Sequence, residues 1–391
     1  MLKFLIILIF LLLPLGQLEK LPINNPQVGL YVHDLIVLVI CLFLIKEVIK
    51  NKKIIVGKLG KPIIIFLTIA LISFALNCFS KTSIEIGVGF AYLARLIGFT
   101  GIYFAFLNLK TKTQPEFFKK LMIFSGLAAA TFGLIQYFVM PDIRPLTANE
   151  WDPHYYRVVG TYIEPGFAGL IFVFSLILLI EKIWGKIKKQ NLWYYLMALI
   201  SYTALCLTYS RSAYLSFAIA IAIIAIVKKS LRFFIIVMAV FILTISNLPR
   251  PGGEGVKLER KSTMLSRFQN WQQGLTVAKD HWLFGVGFNF YRYSARDYGF
   301  LDKNRWQYSH SGAGVDNSLI FILATMGIIG FSAFGYLLGS LFKWGYCQKK
   351  NSFVFLAILA STIIHGFFNN TLFYSFVMLQ FWITLGFTEN N

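Results

Sequence analysis

Residues 160–183 read GTYIEPGFAGLIFVFSLILLIEKI, and the stretch 165–180 within them carries no charged side chain. A helix rises about 1.5 Å per residue, so about 20 mainly apolar residues cross the hydrocarbon core of a bilayer. Glu164 and Glu181 bracket the run, which predicts a membrane-spanning helix. The same reading carried outward gives about twelve such segments. They lie near 3–18, 30–49, 62–80, 84–108, 117–140, 160–183, 192–209, 211–228, 232–248, 315–342, 352–369 and 371–388. The first could be mistaken for a signal peptide, because Lys3 precedes a short apolar run. No small-residue cleavage site follows it, so it is read as a helix. The divisions at 209–211 and 367–370 are the least sharply marked.

The whole composition agrees with this reading. Of 391 residues, 57% are hydrophobic, 17% aromatic and only 14% charged, against about 25% charged in a soluble domain. An ordinary cytosolic enzyme, a disordered chain and a secreted disulfide scaffold are excluded. The four cysteines (Cys41, Cys78, Cys206, Cys347) show no C-x-x-C spacing, so neither a zinc site nor a redox pair is indicated. The expected fold is all-α: a single polytopic membrane domain over 1–391.

The formal net charge is +20, from 37 Lys+Arg against 17 Asp+Glu. With the N-terminus on the cytoplasmic side, segments 46–61, 110–120, 182–189, 228–232 and 343–350 face inward. They hold 6, 4, 4, 3 and 3 basic residues. One phase of alternation explains every loop and places both termini in the cytoplasm. Much of the charge therefore labels topology, and a nucleic-acid partner is not expected.

Two outside segments are longer than connections need to be. Residues 141–159 are polar and aromatic. Residues 249–314 form a large extracytoplasmic loop of 66 residues with 10 basic and 5 acidic groups; long loops of this kind are usually functional. Within it Met264, Leu265, Phe268, Trp271, Leu275, Ala278 and Trp282 recur at spacings of three and four. They predict an amphipathic helix over about 262–282, capped by Ser262 or Thr263, lying on the outer membrane surface or against the bundle. Gly285-Val-Gly287 reads as a tight turn closing that helix.

Four ordered stretches carry a resemblance. They are Arg157-Val-Val-Gly160-Thr161 with Glu164-Pro165-Gly166; Thr208-Tyr-Ser210-Arg211-Ser212-Ala213; Arg267-Phe-Gln-Asn-Trp271 with Asp280-His-Trp-Leu-Phe-Gly285-Val-Gly287; and Asp316-Asn317-Ser318-Leu319 with Met326-Gly327-Ile-Ile-Gly330. Over roughly 155–340 the chain resembles the O-antigen ligase and O-antigen polymerase superfamily of bacterial polysaccharide membrane proteins. That resemblance implies a C-type membrane glycosyltransferase-like fold and a metal-independent, inverting transfer. The donor would be a polyprenyl-diphosphate-linked oligosaccharide and the partner an acceptor glycan. Membrane lipids surround it, and chain-length regulator and flippase proteins are further partners of such systems. No cofactor is implied, and the place is the cytoplasmic (inner) membrane of a bacterium.

Each site residue has a chemical reading beside a bland one. Arg211 suits a diphosphate leaving group, since a planar guanidinium holds two oxygens at once; otherwise it anchors a helix end at the headgroups. Arg267 matches the arginine of the family's R-x-x-x-W stretch, or is one of ten solvated bases. Arg157 is a third phosphate-binding candidate. Glu164, before Pro165, is a substrate-binding acid or simply a favoured helix start. Asp316 stands where the ligases carry a histidine; it is a base for the acceptor hydroxyl or the N-cap of the following helix. His310 is the alternative base. His365, His33-Asp34 and Arg95 read as hydrogen-bonded core groups within spans.

The departure at Asp316 tilts the reading to a polymerase over a ligase. A lipid-linked sugar transporter or flippase is the alternative from another class. Yet no repeat relates the two halves, and the polar candidates collect at outer helix ends. A scaffold subunit would leave the arginines without a task.

Overall fold

The computed structural model describes residues 1–109, 115–149, 153–184, 192–309, 311–347 and 352–389. Among them the regular elements are helical, and strand-like pairing is confined to the isolated bridges Lys20 with Tyr31 and Asp142 with Tyr155. The first helices are α1 (Leu2–Leu12), α2 (Val32–Asn51), α3 (Gly60–Cys78), α4 (Ser83–Asn108), α5 (Pro115–Val139), α6 (Pro165–Ile183) and α7 (Leu192–Cys206). Then follow α8 (Arg211–Val227), α9 (Leu231–Ser246), α10 (Ser262–Asp280), α11 (Tyr291–Asp297), α12 (Ser318–Cys347), α13 (Ser352–Gly366) and α14 (Ser375–Glu389).

Among the described residues, six segments are long and apolar enough to cross a membrane: Leu2–Glu19, which continues α1 through a 3-10 turn, with α3, α4, α5, α6 and α12. Four apolar helices are shorter: α7, α8, α9 and Phe353–Gly366 of α13. The expected twelve spans are therefore met in part. Helix α2 has 20 residues but carries Asp34, Lys46, Glu47 and Lys50, and α14 stops at 15 residues.

Helix α6 explains its own composition. It is enclosed by α5, α7, α8 and α13, and its residues from Ala168 to Leu179 are buried on every face. A helix that is apolar all round belongs in such a position. Apolar side chains gain nothing by leaving lipid, so close helix approach depends on small residues and polar cross-links. Gly169 supplies the first: a Cβ there would lie 2.5 Å from that of Ala213 on α8. Ser216 and Ser361 supply the second, each hydroxyl donating to the other's carbonyl across α8 and α13, at 3.2 and 3.1 Å. On the outside, α9 buries Phe241 and exposes Ile235, Ile236, Val240, Ile242 and Leu243.

The two ends of the bundle differ in charge chemistry. At one end Lys119 bridges Glu181 at 2.7 Å and Glu116 at 3.1 Å, Lys182 pairs with Glu116, and Lys228 lies over the Phe353 ring. At the other, segments 153–164, 207–211, 249–309, 311–317 and 366–374 meet, and Arg157, Arg211, Arg260 and Arg267 gather there.

Helix α12 is broken at Gly327, whose φ of 64° and ψ of −166° are not helical. The turn after α10 fills the break. Val286 N–H donates to Ala324 O and Gly287 N–H to Thr325 O, both at 3.0 Å; Ile328 N–H donates to Trp282 O at 2.8 Å. Ser73 of α3 donates to the carbonyls of Phe284 and Thr325, each at 2.8 Å. Gly285-Val-Gly287 is thus a tight turn as expected, but its task is to satisfy the backbone of α12. Residues 285–295 run on through the core, with Phe288, Phe290, Tyr291 and Tyr293 fully buried.

Helix α10 spans Ser262–Asp280, and neither expected cap forms: Lys261 holds the N-cap position without a side-chain bond. Its apolar stripe divides. Trp271 and Ala278, with Gly274 and Val277, pack onto Val315, Ile320 and Phe321 at the start of α12. Met264, Leu265, Phe268, Leu275 and Trp282 are exposed.

Two substitutions test the break. Alanine at Gly327 would take a left-handed backbone and place Cβ 2.2 Å from Leu283 O. The backbone strain alone costs about 1–3 kcal/mol, so Gly327→Ala is expected to lower the unfolding temperature in detergent sharply. Gly339 of the same helix has open space around it, and Gly339→Ala should lower it no further than wild type, as helix propensity favours Ala. Intrinsic-fluorescence melting curves compare the two.

Candidate functional site

The site is built on two helix starts. The chain leaves α7 at Cys206, turns through Tyr209 at φ 49°, and enters α8 with Arg211 as its first residue. Ser210 caps this helix, its hydroxyl accepting Ala213 N–H at 3.4 Å. Helix α6 starts the same way: Ile163 has φ 57°, Glu164 accepts Gly166 N–H at 3.1 Å, and Pro165 occupies the first turn. The helix-start role of Glu164 is therefore realised, and its carboxylate also lies 3.5 Å from His154 Nε2. Left-handed Tyr and Ile are uncommon, and such strain concentrates where the surroundings over-determine it. The first N–H groups of each helix have no intrahelical partner and favour an anion.

Four arginines gather over these starts, and they divide by what their donors do. Arg157 is buried, and its guanidinium donates to the carbonyls of Thr208 (2.9 Å) and Tyr209 (3.3 Å). Arg260 is also buried and donates to Gly255, Lys257 and Tyr209 carbonyls and to Thr263 Oγ1. These two clamp the turn that presents Arg211. Arg211 uses one terminal nitrogen, Nη1, on the carbonyls of Leu258 and Arg260, at 3.2 and 3.1 Å. Arg267 reaches from α10 to Asn369 Oδ1 at 3.3 Å, and its Nε is buried with no partner among the described residues. Arg211 and Arg267 thus keep donors for a ligand.

The electrostatics follow from burial and like charge. Burial, then Arg260, pulls the Arg157 guanidinium down to about 10. Burial with Arg211 and Arg267 does the same to Arg260, also about 10. Among the described residues no carboxylate stands within 4.0 Å of any of the four arginine heads. Burial would raise the Glu164 carboxyl, but His154, Arg157 and the Gly166 N–H outweigh it and hold it at about 2. The cluster therefore keeps a net positive charge.

Asp316 departs from the capping expectation. The N-cap of α12 is Asn317, whose Oδ1 accepts Leu319 N–H at 2.9 Å and Ile320 N–H at 3.1 Å. The reason is α10: Asn270 Oδ1 takes Asp316 N–H at 2.7 Å, and Trp271 Nε1 donates to Asp316 O at 2.9 Å. The backbone of Asp316 is spent on α10, so the cap falls one residue later. Asp316 is half-buried, and its backbone is held at Asn270 and Trp271, about one helical turn along α10 from Arg267. His310 lies outside the described residues.

His365 is fully buried and hydrogen-bonded, as expected of a core histidine, with Nδ1 2.7 Å from Thr371 Oγ1 and Nε2 3.2 Å from Ser212 Oγ. It nonetheless belongs to the cluster through Ser212 and Asn369. Two residues escaped the sequence reading. Arg260 looked like any of the ten loop bases, and its partners are backbone carbonyls, which leave no sequence signal. Asn369 marked only a division between spans.

The Glu164 contact sets a pH dependence. Its ordinary value is near 4.5 and the folded value about 2, so its contribution is present above about 4.5 and fades as pH falls through 2. Glu164→Gln is expected to lower stability at pH 7 by about 1–2 kcal/mol, the scale of a hydrogen bond to a charged group. The variant should also lose part of the fall in melting temperature between pH 5 and pH 2.5.

Comparison with curated proteins gives no match. Residues 195–335 match the family model described as O-antigen ligase. That stretch runs from α7 to the middle of α12 and contains Arg211, Arg260, Arg267 and Asp316, so the similarity lies in the site-bearing region and supports an O-antigen ligase or polymerase-like family.

Proposed function

We propose that the protein is a polysaccharide polymerase that joins polyprenyl-diphosphate-linked repeat units on the outer face of a bacterial cytoplasmic membrane. The observation that carries this reading is the pair Arg211 and Arg267, with donors left over beside the N-terminus of α8. The donor's diphosphate sits between them, held by planar guanidiniums suited to two oxygens each. The lipid tail runs into the bilayer between helices, and the acceptor glycan enters beneath the 249–314 segment. The exposed stripe of α10, including Phe268 and Trp282, faces the outer lipid surface.

In the transfer, an acceptor hydroxyl oxygen bonds to the anomeric carbon from the face opposite the diphosphate. The carbon–oxygen bond to phosphate breaks and its electron pair leaves with the diphosphate, so configuration inverts. Asp316 takes the hydroxyl proton, with His310 as the alternative base. Negative charge grows on the leaving group as the bond breaks, and preorganised cations that meet it lower the barrier. Arg157 and Arg260 add positive potential and hold Arg211 in place; Glu164 keeps the start of α6 closed. Guanidiniums fill the charge-stabilising role, so turnover is expected without a divalent metal.

A ligase, which passes the glycan to a lipid A core acceptor, is the second reading. The family description favours it, while the aspartate at the ligases' histidine position favours polymerase.

Purified protein given a lipid-linked repeat unit in chelator should yield a ladder of lengthening products. Arg211→Ala and Arg211→Lys should each cut the rate by about 100-fold or more, the scale of losing a preorganised donor, while still inserting. Transfer to a lipid A core acceptor without a ladder would make the protein a ligase. Glycolipid crossing liposomes, with no transfer at all, would make it a transporter.

Because Asn317 holds the cap, Asp316→Asn keeps the start of α12 capped while replacing the carboxylate proposed as the base. It should lower the rate constant by 10²–10⁴-fold, roughly the general-base contribution. Full activity in this variant would leave the proton to another group.

A further inference from the structure

Arg267 stands on a part of α10 that has little to hold it. The packing of α10 onto α12 begins at Trp271 and runs through Gly274, Val277 and Ala278, whereas Met264, Leu265 and Phe268 beside Arg267 are exposed. Among the described residues, the hydrogen bond that fixes the Arg267 guanidinium comes from elsewhere in the chain, from Asn369 in the turn between α13 and α14. That turn lies beyond the stretch matched by the family model.

Asn369 is buried. Its Nδ2 donates to Ser212 Oγ at 3.2 Å, and its backbone carbonyl accepts Ser318 Oγ–H at 3.1 Å. Ser212 follows Arg211 on α8, and Ser318 follows the cap Asn317 on α12. One residue therefore ties the three helices together, its side chain joining α10 to α8 and its backbone carbonyl reaching α12. Phe368, its neighbour, sets its ring 6.4 Å from that of Trp271.

The direction of the first two bonds follows from one fact: a guanidinium only donates. Arg267 therefore faces the Asn369 oxygen, which turns Nδ2 towards Ser212. Ser212 Oγ accepts from Asn369 and has two further neighbours, His365 Nε2 at 3.2 Å and Ser210 Oγ at 3.1 Å; the circuit closes when its own proton goes to His365. His365 is then neutral with its proton on Nδ1, donated to Thr371 Oγ1 at 2.7 Å. Thr371 in turn points its hydroxyl at Asn369 O, 3.5 Å away. The circuit runs from Arg267 through Asn369, Ser212, His365 and Thr371 back to Asn369, with a donor and an acceptor at every step.

We infer that Asn369 is a positioning residue: through Ser212 and His365 it locks the Arg267 guanidinium against the start of α8, so that Arg267 and Arg211 meet the two phosphates at a fixed separation. The inference deepens the proposed diphosphate chemistry and rests on it. A misplacement of about 1 Å can cost 10²-fold in rate. Because the leaving group gains charge only as the bond breaks, the loss should appear in kcat with KM little changed.

The test is a double-mutant cycle on the full-length protein with the lipid-linked repeat unit. Asn369→Leu and Arg267→Ala should each lower kcat by about 100-fold, and the double variant should fall no more than about threefold below the weaker single, because both remove the same interaction. Losses that multiply to about 10⁴-fold, or normal turnover by Asn369→Leu, would overturn the inference. If Asn369→Leu does not insert, Ser212→Ala breaks the circuit at its next member and should show the same non-additivity with Arg267→Ala at a loss of about tenfold. An inactive wild type would sink the proposed function instead. Inorganic pyrophosphate then decides the positioning role. It should raise the melting temperature of wild type, and Asn369→Leu should abolish the rise as fully as Arg267→Ala does. A wild type that is neither active nor protected by pyrophosphate overturns both.

Discussion

The break in α12 at Gly327 is the constraint on which the rest of the site depends. In an apolar interior an unpaired backbone group costs several kcal/mol, so a helix can break there only if something supplies the missing partners. The turn at 282–287 does so with its own N–H and C=O groups, and Ser73 of α3 takes the remaining carbonyl capacity. This docking fixes the end of α10 against the middle of α12. It also fixes the register in which Asn270 and Trp271 of α10 capture the backbone of Asp316. The backbone of Asp316 is therefore held about one turn along α10 from Arg267 because a helix several residues deeper is broken.

Charge is sorted between the two ends by the kind of residue as well as by sign. The lysine end is made of ion pairs with Glu116 and Glu181. The arginine end has no such partners for its four heads among the described residues; their donors go to carbonyls and to the side chains of Thr263 and His154, or stay unused. Arg157 and Arg260, spent on the 207–210 turn and its neighbours, are framework. They add positive potential without competing for a ligand. Arg211 and Arg267 are the pair left to act, and a planar fork with several donors allows one arginine to be both tethered and available. Lysine, with a single head atom, divides its donors less well between tether and ligand.

How much of this was legible in the sequence depends on what kind of group does the work. The spans were legible because about 20 apolar residues in a row have few other uses, although hydropathy could not see that α7 and α8 lose their facing ends to the 207–210 turn. Arg211 was legible because a charge between two apolar runs is conspicuous. Arg260 was not, since ten bases in 66 residues look alike and its partners are carbonyls. Asp316 and Asn317 are both good caps, and only the tertiary contact from Asn270 decides between them. The stretch Met326-Gly-Ile-Ile-Gly330 holds two glycines: Gly327 is the break, while Gly330 stays helical, and the difference comes wholly from the 282–287 turn. Asn369 sits in Phe-Phe-Asn-Asn, a sequence that reads as a loop, and its role exists only because α8, α10 and α12 converge on it.

The cost of assembling the arginines bears on what the site is for. Two unit charges 4 Å apart interact by about 4 kcal/mol at the effective dielectric of a protein surface, and burial adds to that. The depressed values of Arg157 and Arg260 record burial first and this repulsion second. Glu164 offsets little of it, since its carboxylate also serves Gly166 and faces His154. A fold that needed only anchors at the headgroups would spread such charges along the helix ends. Here they converge on two capped helix N-termini, with strained Tyr209 and Ile163 immediately before the caps. A doubly charged phosphate group, such as the proposed donor carries, would relieve this repulsion. In the proposed transfer that relief grows with the charge on the group, so the interaction would be strongest as the glycosidic bond breaks, which is the condition for stabilising the transition state more than the bound donor.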